Sequence, residues 1–250
     1  MPNTRFRWFG ICLPLILANW GQAGNPPDVE ALVDRSIAAS GGAANLSKFQ
    51  AETVRGKGKH YGTGKPVEYT SERSVEQPQR MRIVIDTVYK GTKEKLIWVL
   101  NGDKGWQKLD DNNAQAMDKE MLTEEQEQFH AGRVATLLPL KSPDYELTFL
   151  GECTVAGRPA AGIKVSHKAR REVNLYFDRE SALLVKSETR IKEAGKEMKQ
   201  EVLYADYREM EGTRRPTRIT VKRDNKLLVE EEVLEYRPLE RPDGSLFAKP

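Results

Sequence analysis

Glu172-Val173-Asn174-Leu175-Tyr176-Phe177-Asp178, then Arg179-Glu180-Ser181, then Leu183–Lys192: this run sets the pattern for the second half of the chain. Val173, Leu175 and Phe177 alternate with polar or amphipathic neighbours, which is the period of a strand with one buried face. Further strand-like runs surround it between Asp144 and Arg237, at Tyr145–Leu150, Ala160–His167, Met198–Arg208, Pro216–Arg223 and Lys226–Tyr236. The breaks at Asp178–Ser181, Glu193–Lys196 and Arg223–Lys226 carry Asp, Asn and Gly, which tolerate the left-handed backbone of tight hairpins. No helical pattern separates these strands, which argues against a parallel sheet with crossover helices. The expectation is a mainly β protein, one antiparallel meander closed or curled into a barrel.

The first half extends this pattern and adds two helices. Pro26-Pro27 opens a helix and Gly41-Gly42 closes it, with Val29, Leu32, Val33 and Ile37 forming a narrow apolar stripe. Strands are expected at Ala51–Tyr61, Pro66–Glu76, Gln79–Tyr89, Glu94–Leu100 and Gly105–Leu109. Met81, Ile83 and Ile85 share one face of the third, and Trp98 and Trp106 sit on the last two, across the hairpin signal Asn101-Gly102. Asp110–Asp118 reads as a solvated loop. Thr123-Glu124-Glu125-Gln126 then reads as a capping box, starting a helix over Glu124–Leu138 that Pro139 ends. Its apolar residues Phe129, Val134 and Leu137 gather toward one side and toward its C-terminal end, so it is expected to lie over the mouth of the curled sheet.

Residues 1–23 have the features of a secretory signal: Arg5 and Arg7, the apolar run Trp8–Leu17, and small residues flanking Gln22. That run is too short to span a bilayer. The mature chain, residues 24–250, is expected to be a single exported domain and a monomer. Of the 40 basic residues the signal removes two and no acid, leaving 38 against 37 and a net charge of +1. The basic balance of the full chain is therefore no argument for a nucleic-acid partner. Cys153 is then alone, so an intramolecular disulfide is ruled out, and it reads as a small buried apolar residue.

No recognisable catalytic constellation emerges. His60, His130 and His167 are not at metal-ligand spacing, and Cys153 has no C-x-x-C partner. Ser166 and His167 are neighbours on one strand and point to opposite faces. Gly56-Lys57-Gly58-Lys59 is not followed by a helix, so it is a bend in a strand and not a phosphate loop. Lys168-Ala169-Arg170-Arg171 reads as a solvated hairpin tip. Neither an enzyme nor a bound cofactor or metal is expected.

Several short stretches carry a resemblance: Asn101–Trp106, Val155–Ala160, Leu175-Tyr176-Phe177-Asp178, Tyr204-Ala205-Asp206-Tyr207 and the terminal Leu246–Pro250. With the order of signal, helix, strands, inserted helix and strands, they resemble the LolA/LolB superfamily of periplasmic lipoprotein carriers and its exported outer membrane lipoprotein-sorting relatives. The resemblance implies an incomplete antiparallel β-barrel with amphipathic helices as a lid over an apolar cavity. It also implies a periplasmic location, a lipid or acylated lipoprotein as ligand, and a membrane-bound donor or acceptor as a further partner. Its motifs mark turns and strands, and no functional arginine is carried over from it. The candidate lining of cavity and lid is Met81, Ile83, Ile85, Trp98, Trp106, Phe129, Val134, Leu137, Val173, Leu175 and Phe177. A second function fits the same fold: an envelope interaction or signalling module whose core is filled by side chains and which takes no lipid.

Overall fold

The computed structural model describes residues 28–62, 64–193, 195–240 and 242–250; the expected signal lies outside them. Thirteen strands form one antiparallel sheet: β1 Ala51–His60, β2 Val67–Glu76, β3 Arg80–Tyr89, β4 Thr92–Asn101, β5 Lys104–Leu109, β6 Gln115–Ala116, β7 Tyr145–Val155, β8 Arg158–His167, β9 Arg170–Asp178, β10 Leu184–Glu193, β11 Lys196–Met210, β12 Thr213–Arg223 and β13 Lys226–Pro238. The expected strands are all present, mostly lengthened by one to five residues. β6 falls inside the segment expected to be a loop, where Gln107 pairs with Gln115.

The sheet is not one meander. Its order is β6-β5-β4-β3-β2-β1-β13-β12-β11-β10-β9-β8-β7. Two meanders, β1–β6 and β7–β13, are joined where the first strand pairs with the last, Val54 opposite Tyr236 and Gly58 opposite Glu231. The free edges are therefore β6 and β7, and the barrel is not closed.

Among the described residues three α-helices accompany the sheet: α1 Val29–Ala39, α2 Ala43–Leu46 and α3 Lys119–Val134. The Asp28 carboxylate caps α1 by accepting from the amides of Glu30 and Ala31. Gly41 follows α1 with φ 114°, and a Cβ there would lie 2.5 Å from the carbonyl oxygen of Gly212. Only glycine allows the chain to turn this close to the β11/β12 hairpin. α3 joins β6 to β7, and so connects the two free edges of the sheet.

α3 starts five residues earlier than the capping-box reading places it. Asp118 is the cap, accepting from the Met121 amide at 2.8 Å, while the Thr123 hydroxyl donates to the Lys119 carbonyl. A carboxylate at the cap also answers the helix dipole, and the earlier start adds Met121 and Leu122 to the helix. At the other end α3 stops at Val134. Leu137 is in the left-handed region, φ 73°, and begins a 3-10 turn over Leu138–Lys141 that contains Pro139.

Cross-strand register assigns the faces, because directly opposed residues point the same way. The inner face of β7–β10 carries Phe149, Ile163, Leu175 and Ser187 in one row, and Leu147, Val165, Val173 and Thr189 in the next. Leu32, Val33 and Ile37 of α1, Val134 of α3, and Leu137 and Leu140 just beyond it close over this face. Val173, Leu175 and Phe177 are 1%, 0% and 0% exposed. Leu175→Asp is expected to cost on the order of 4 kcal/mol, from the lost apolar contacts and a carboxyl forced to stay neutral. A urea melt of the purified protein tests this; an unchanged midpoint would contradict the face assignment.

Candidate functional site

The candidate site is the concave inner face under α3, and its two halves are filled differently. Over β8–β9 Ile163, Val165, Val173 and Leu175 are fully buried, and the β7 residues Leu147 and Phe149 at the sheet edge stay half-buried. Over β2–β4 the register places Met81 opposite Leu100, Ile83 opposite Trp98 and Ile85 opposite Leu96, with Val75, Arg73 and Ser71 continuing the rows on β2. Met81, Val75 and Leu100 are buried under Leu122 and Phe129 of α3. Ile83, Ile85, Leu96 and Trp98 are only half-buried. An apolar strip thus runs out from beneath the N-terminal half of the helix.

The sequence-derived lining separates into three groups. Met81, Ile83, Ile85, Trp98 and Phe129 come together in the β2–β4 half. Val134, Leu137, Val173, Leu175 and Phe177 come together in the other half, inside packed core. Trp106 belongs to neither. It opposes Val99 and points to the outer face, where the 3-10 turn Gly244–Phe247 packs on β3 and β4. One residue of register separates Trp98 from the Val99–Trp106 row, and that residue reverses the face.

Between the two halves the inner face is polar. The Tyr69 hydroxyl donates to Glu231 at 2.9 Å and the Ser71 hydroxyl to the same oxygen at 3.3 Å. Glu52 pairs with Arg215 at 3.0 Å, both side chains 12% exposed, and the guanidinium stacks 4.0 Å from the Phe49 ring. Burial nevertheless holds the Glu52 carboxyl above its usual range, against the opposing pull of Arg215 and Arg73. Arg73 makes no ion pair among the described residues, yet its charge acts on Glu52, Tyr69, Tyr204 and Tyr236. A cation therefore sits among buried phenols in the middle of the inner face. The period of β2 places Arg73 on that face, but the groups around it come from β1, β11 and β13, which sequence alone does not bring together.

α3 is tied to the sheet by ion pairs that the sequence did not reveal. The Arg171 guanidinium donates to both oxygens of Glu124, at 2.9 and 2.7 Å. The Arg171 amide and the Arg170 guanidinium both donate to Glu127, at 2.8 and 3.2 Å, and Lys192 pairs with Glu120 at 2.9 Å. Arg170 and Arg171 are thus a clamp on the helix, while Lys168 and Ala169 at the tip are exposed, as expected of a solvated turn. A slot of about 380 Å³ remains beside the clamp, lined by Met121, Glu125, Gln128, Ile191 and Arg223 among others. A larger concavity, about 1740 Å³, lies toward the β1/β2 and β3/β4 hairpin end of the sheet, lined by Tyr69, Thr70, Asp86, Arg218 and Glu231 among others.

Further along α3, His130 stacks on Tyr145 with ring centroids 5.8 Å apart and lies 5.6 Å from His167. Burial, and then the positive neighbours His167, Arg170 and Arg133, lower its pKa from 6.5 to about 4, opposed by Glu127. Between these values the unfolded chain binds a proton that the fold refuses, so stability falls as pH drops from 6.5 toward 4. His130→Phe should flatten that part of the melting-temperature profile; an unchanged acid slope would contradict the assignment.

No protein-family model and no curated protein matches the chain. Solved structures do. A LolA superfamily protein from Nitrosomonas europaea superimposes with TM-score 0.58 at 11% identity, over 88% of this chain and 97% of that one. A DUF1329 family protein from Desulfovibrio piger gives 0.55 at 10%, over 88% and 97%. A domain classed with outer membrane lipoprotein-sorting proteins, from Vibrio parahaemolyticus, gives 0.54 at 10%, over 89% and 98%. At such identities the likeness carries the fold alone, and that fold is the one of LolA superfamily structures.

Proposed function

We propose that the chain is an exported, monomeric, non-enzymatic binding protein of the cell envelope, which holds a lipid or a lipoprotein acyl chain beneath α3. The observation that carries this reading is the unequal filling of the inner face. The helix that joins the two free edges is packed at its C-terminal end, while the half-buried strip Ile83, Ile85, Leu96 and Trp98 extends from under its N-terminal half. An acyl chain laid along that strip gains ~0.8 kcal/mol per buried CH₂. The polar belt of Tyr69, Arg73 and Glu231 beside it suits the head of an amphiphile. The LolA-like fold and the resemblance to a sorting-protein domain support a carrier role with a membrane-bound donor or acceptor.

The filled-core module is the second reading, favoured by the fully buried Ile163, Val165, Val173 and Leu175 over β8–β9. Two measurements separate them. Native mass spectrometry of the purified protein should show co-purifying lipid. Hydrogen exchange with a long-chain fatty acid should add protection across residues 119–134, with little change in β9–β11. Unchanged exchange together with no bound lipid would reject the carrier in favour of the module.

A further inference from the structure

Three neighbouring hairpins end together on one side of the sheet. Val67 and Val229 both lie opposite His60, and Tyr69 lies opposite Thr87, so the β1/β2, β3/β4 and β12/β13 tips project at a common level. They carry apolar side chains into solvent: Val88 is 57% exposed and Leu227 36%, with exposed Pro66 beside them. They also carry Lys90, Lys93 and Lys226, all exposed and without an ion pair among the described residues. The Lys90 ammonium lies 5.1 Å over the Tyr89 ring, next to Val88.

The acids nearby are largely engaged. Glu68, Asp86 and Glu232 hold Lys59, Lys95 and Lys57, and Asp206 holds Arg218. Glu230 accepts from Tyr61, and Asp224 and Asp110 accept the amides of Lys199 and Lys95. Glu230, Asp224 and Asp110 keep their charge in those bonds, and half-buried Glu94 and exposed Asp111 add to it, so the rim is mixed in charge, with Lys90, Lys93 and Lys226 its cations outside any ion pair among the described residues. The rim therefore offers cations with nothing to hold, interleaved with apolar tips. That combination fits a surface that is anionic outside and apolar a few ångströms deeper.

We propose that this rim docks on an anionic bilayer, with Val88 and Leu227 entering the headgroup layer and Lys90, Lys93 and Lys226 against the headgroups. The lipid is here a surface and not the cargo under α3, so docking can hold or fail whatever the inner face binds. The test is co-sedimentation of the full mature chain with phosphatidylethanolamine/phosphatidylglycerol vesicles and with phosphatidylcholine vesicles. Binding to the anionic vesicles is expected, falling with added salt. Lys90→Glu with Lys93→Glu should weaken it about tenfold or more, since each basic side chain near such a surface contributes ~1 kcal/mol and reversal adds repulsion. Val88→Ser with Leu227→Ser should remove the part that survives salt. Lys104→Glu, at the opposite end of the sheet, should leave binding unchanged, and circular dichroism checks that each variant is folded. No preference for anionic vesicles would overturn the proposal and leave the rim to an acidic protein partner. An equal loss in Lys104→Glu would overturn it as well, by showing that net charge and not the rim governs binding.

Discussion

An open antiparallel sheet with an apolar inner face must have that face covered, and here α1 and α3 share the cover, α3 spanning the gap between the free edges β6 and β7. α3 leaves from β6 and delivers the chain to β7, so the helix is tethered at both free edges. Connectivity fixes its two ends, and the contacts of Leu122 and Phe129 with Met81, Val75 and Leu100, and of Val134 with the β8–β9 core, place it over the inner face. The ion pairs of Glu124 and Glu127 with Arg171 and Arg170 then hold it down along the β9 side. Surface ion pairs contribute ~0–1 kcal/mol, but both glutamates are only 11% exposed, so these pairs are partly shielded from solvent and depend on correct geometry.

The two meanders under that helix play different parts. β7–β10 with α1 and the end of α3 form a close-packed body, and a packed body is bistable or rigid, not gradually deformable. β2–β4 present a strip that the helix only half covers. The seam between them, β1 against β13, carries the polar belt and the buried Glu52–Arg215 pair, whose loss of one partner would leave an uncompensated charge. The result is a filled half and a partly covered half beneath the same helix. The hairpin rim, on the end away from the Glu52–Arg215 plug, faces outward independently of both.

Much of this was legible in the sequence because it rests on local periodicity. The alternation of Val173, Leu175 and Phe177, and of Met81, Ile83 and Ile85, gave strands and faces that the register reproduces. What failed had non-local causes. Trp106 looked equivalent to Trp98, but the turn at Gly102-Asp103 sets which of the two faces inward. The pairing of β1 with β13 joins residues nearly two hundred positions apart in sequence, and no local pattern announces it. The clamp at Arg170 and Arg171 was read as a solvated tip, because its partners lie on an element over forty residues away. The start of α3 was misplaced by a competing cap, Thr123 over Asp118, in a segment where both fit the rules.

The central claim is that α3 is a cover that opens to admit a ligand and is then held, displaced outward but opening less often, over the occupied inner face. The direct measurement is an electron–electron distance between spin labels at Thr123→Cys on α3 and Lys226→Cys on β13, both exposed sites, in a Cys153→Ser background. Adding a long-chain fatty acid should move the distance distribution to longer values and narrow it as one state is selected. An unmoved distribution, with the fatty acid shown to be bound, would contradict a lifting cover.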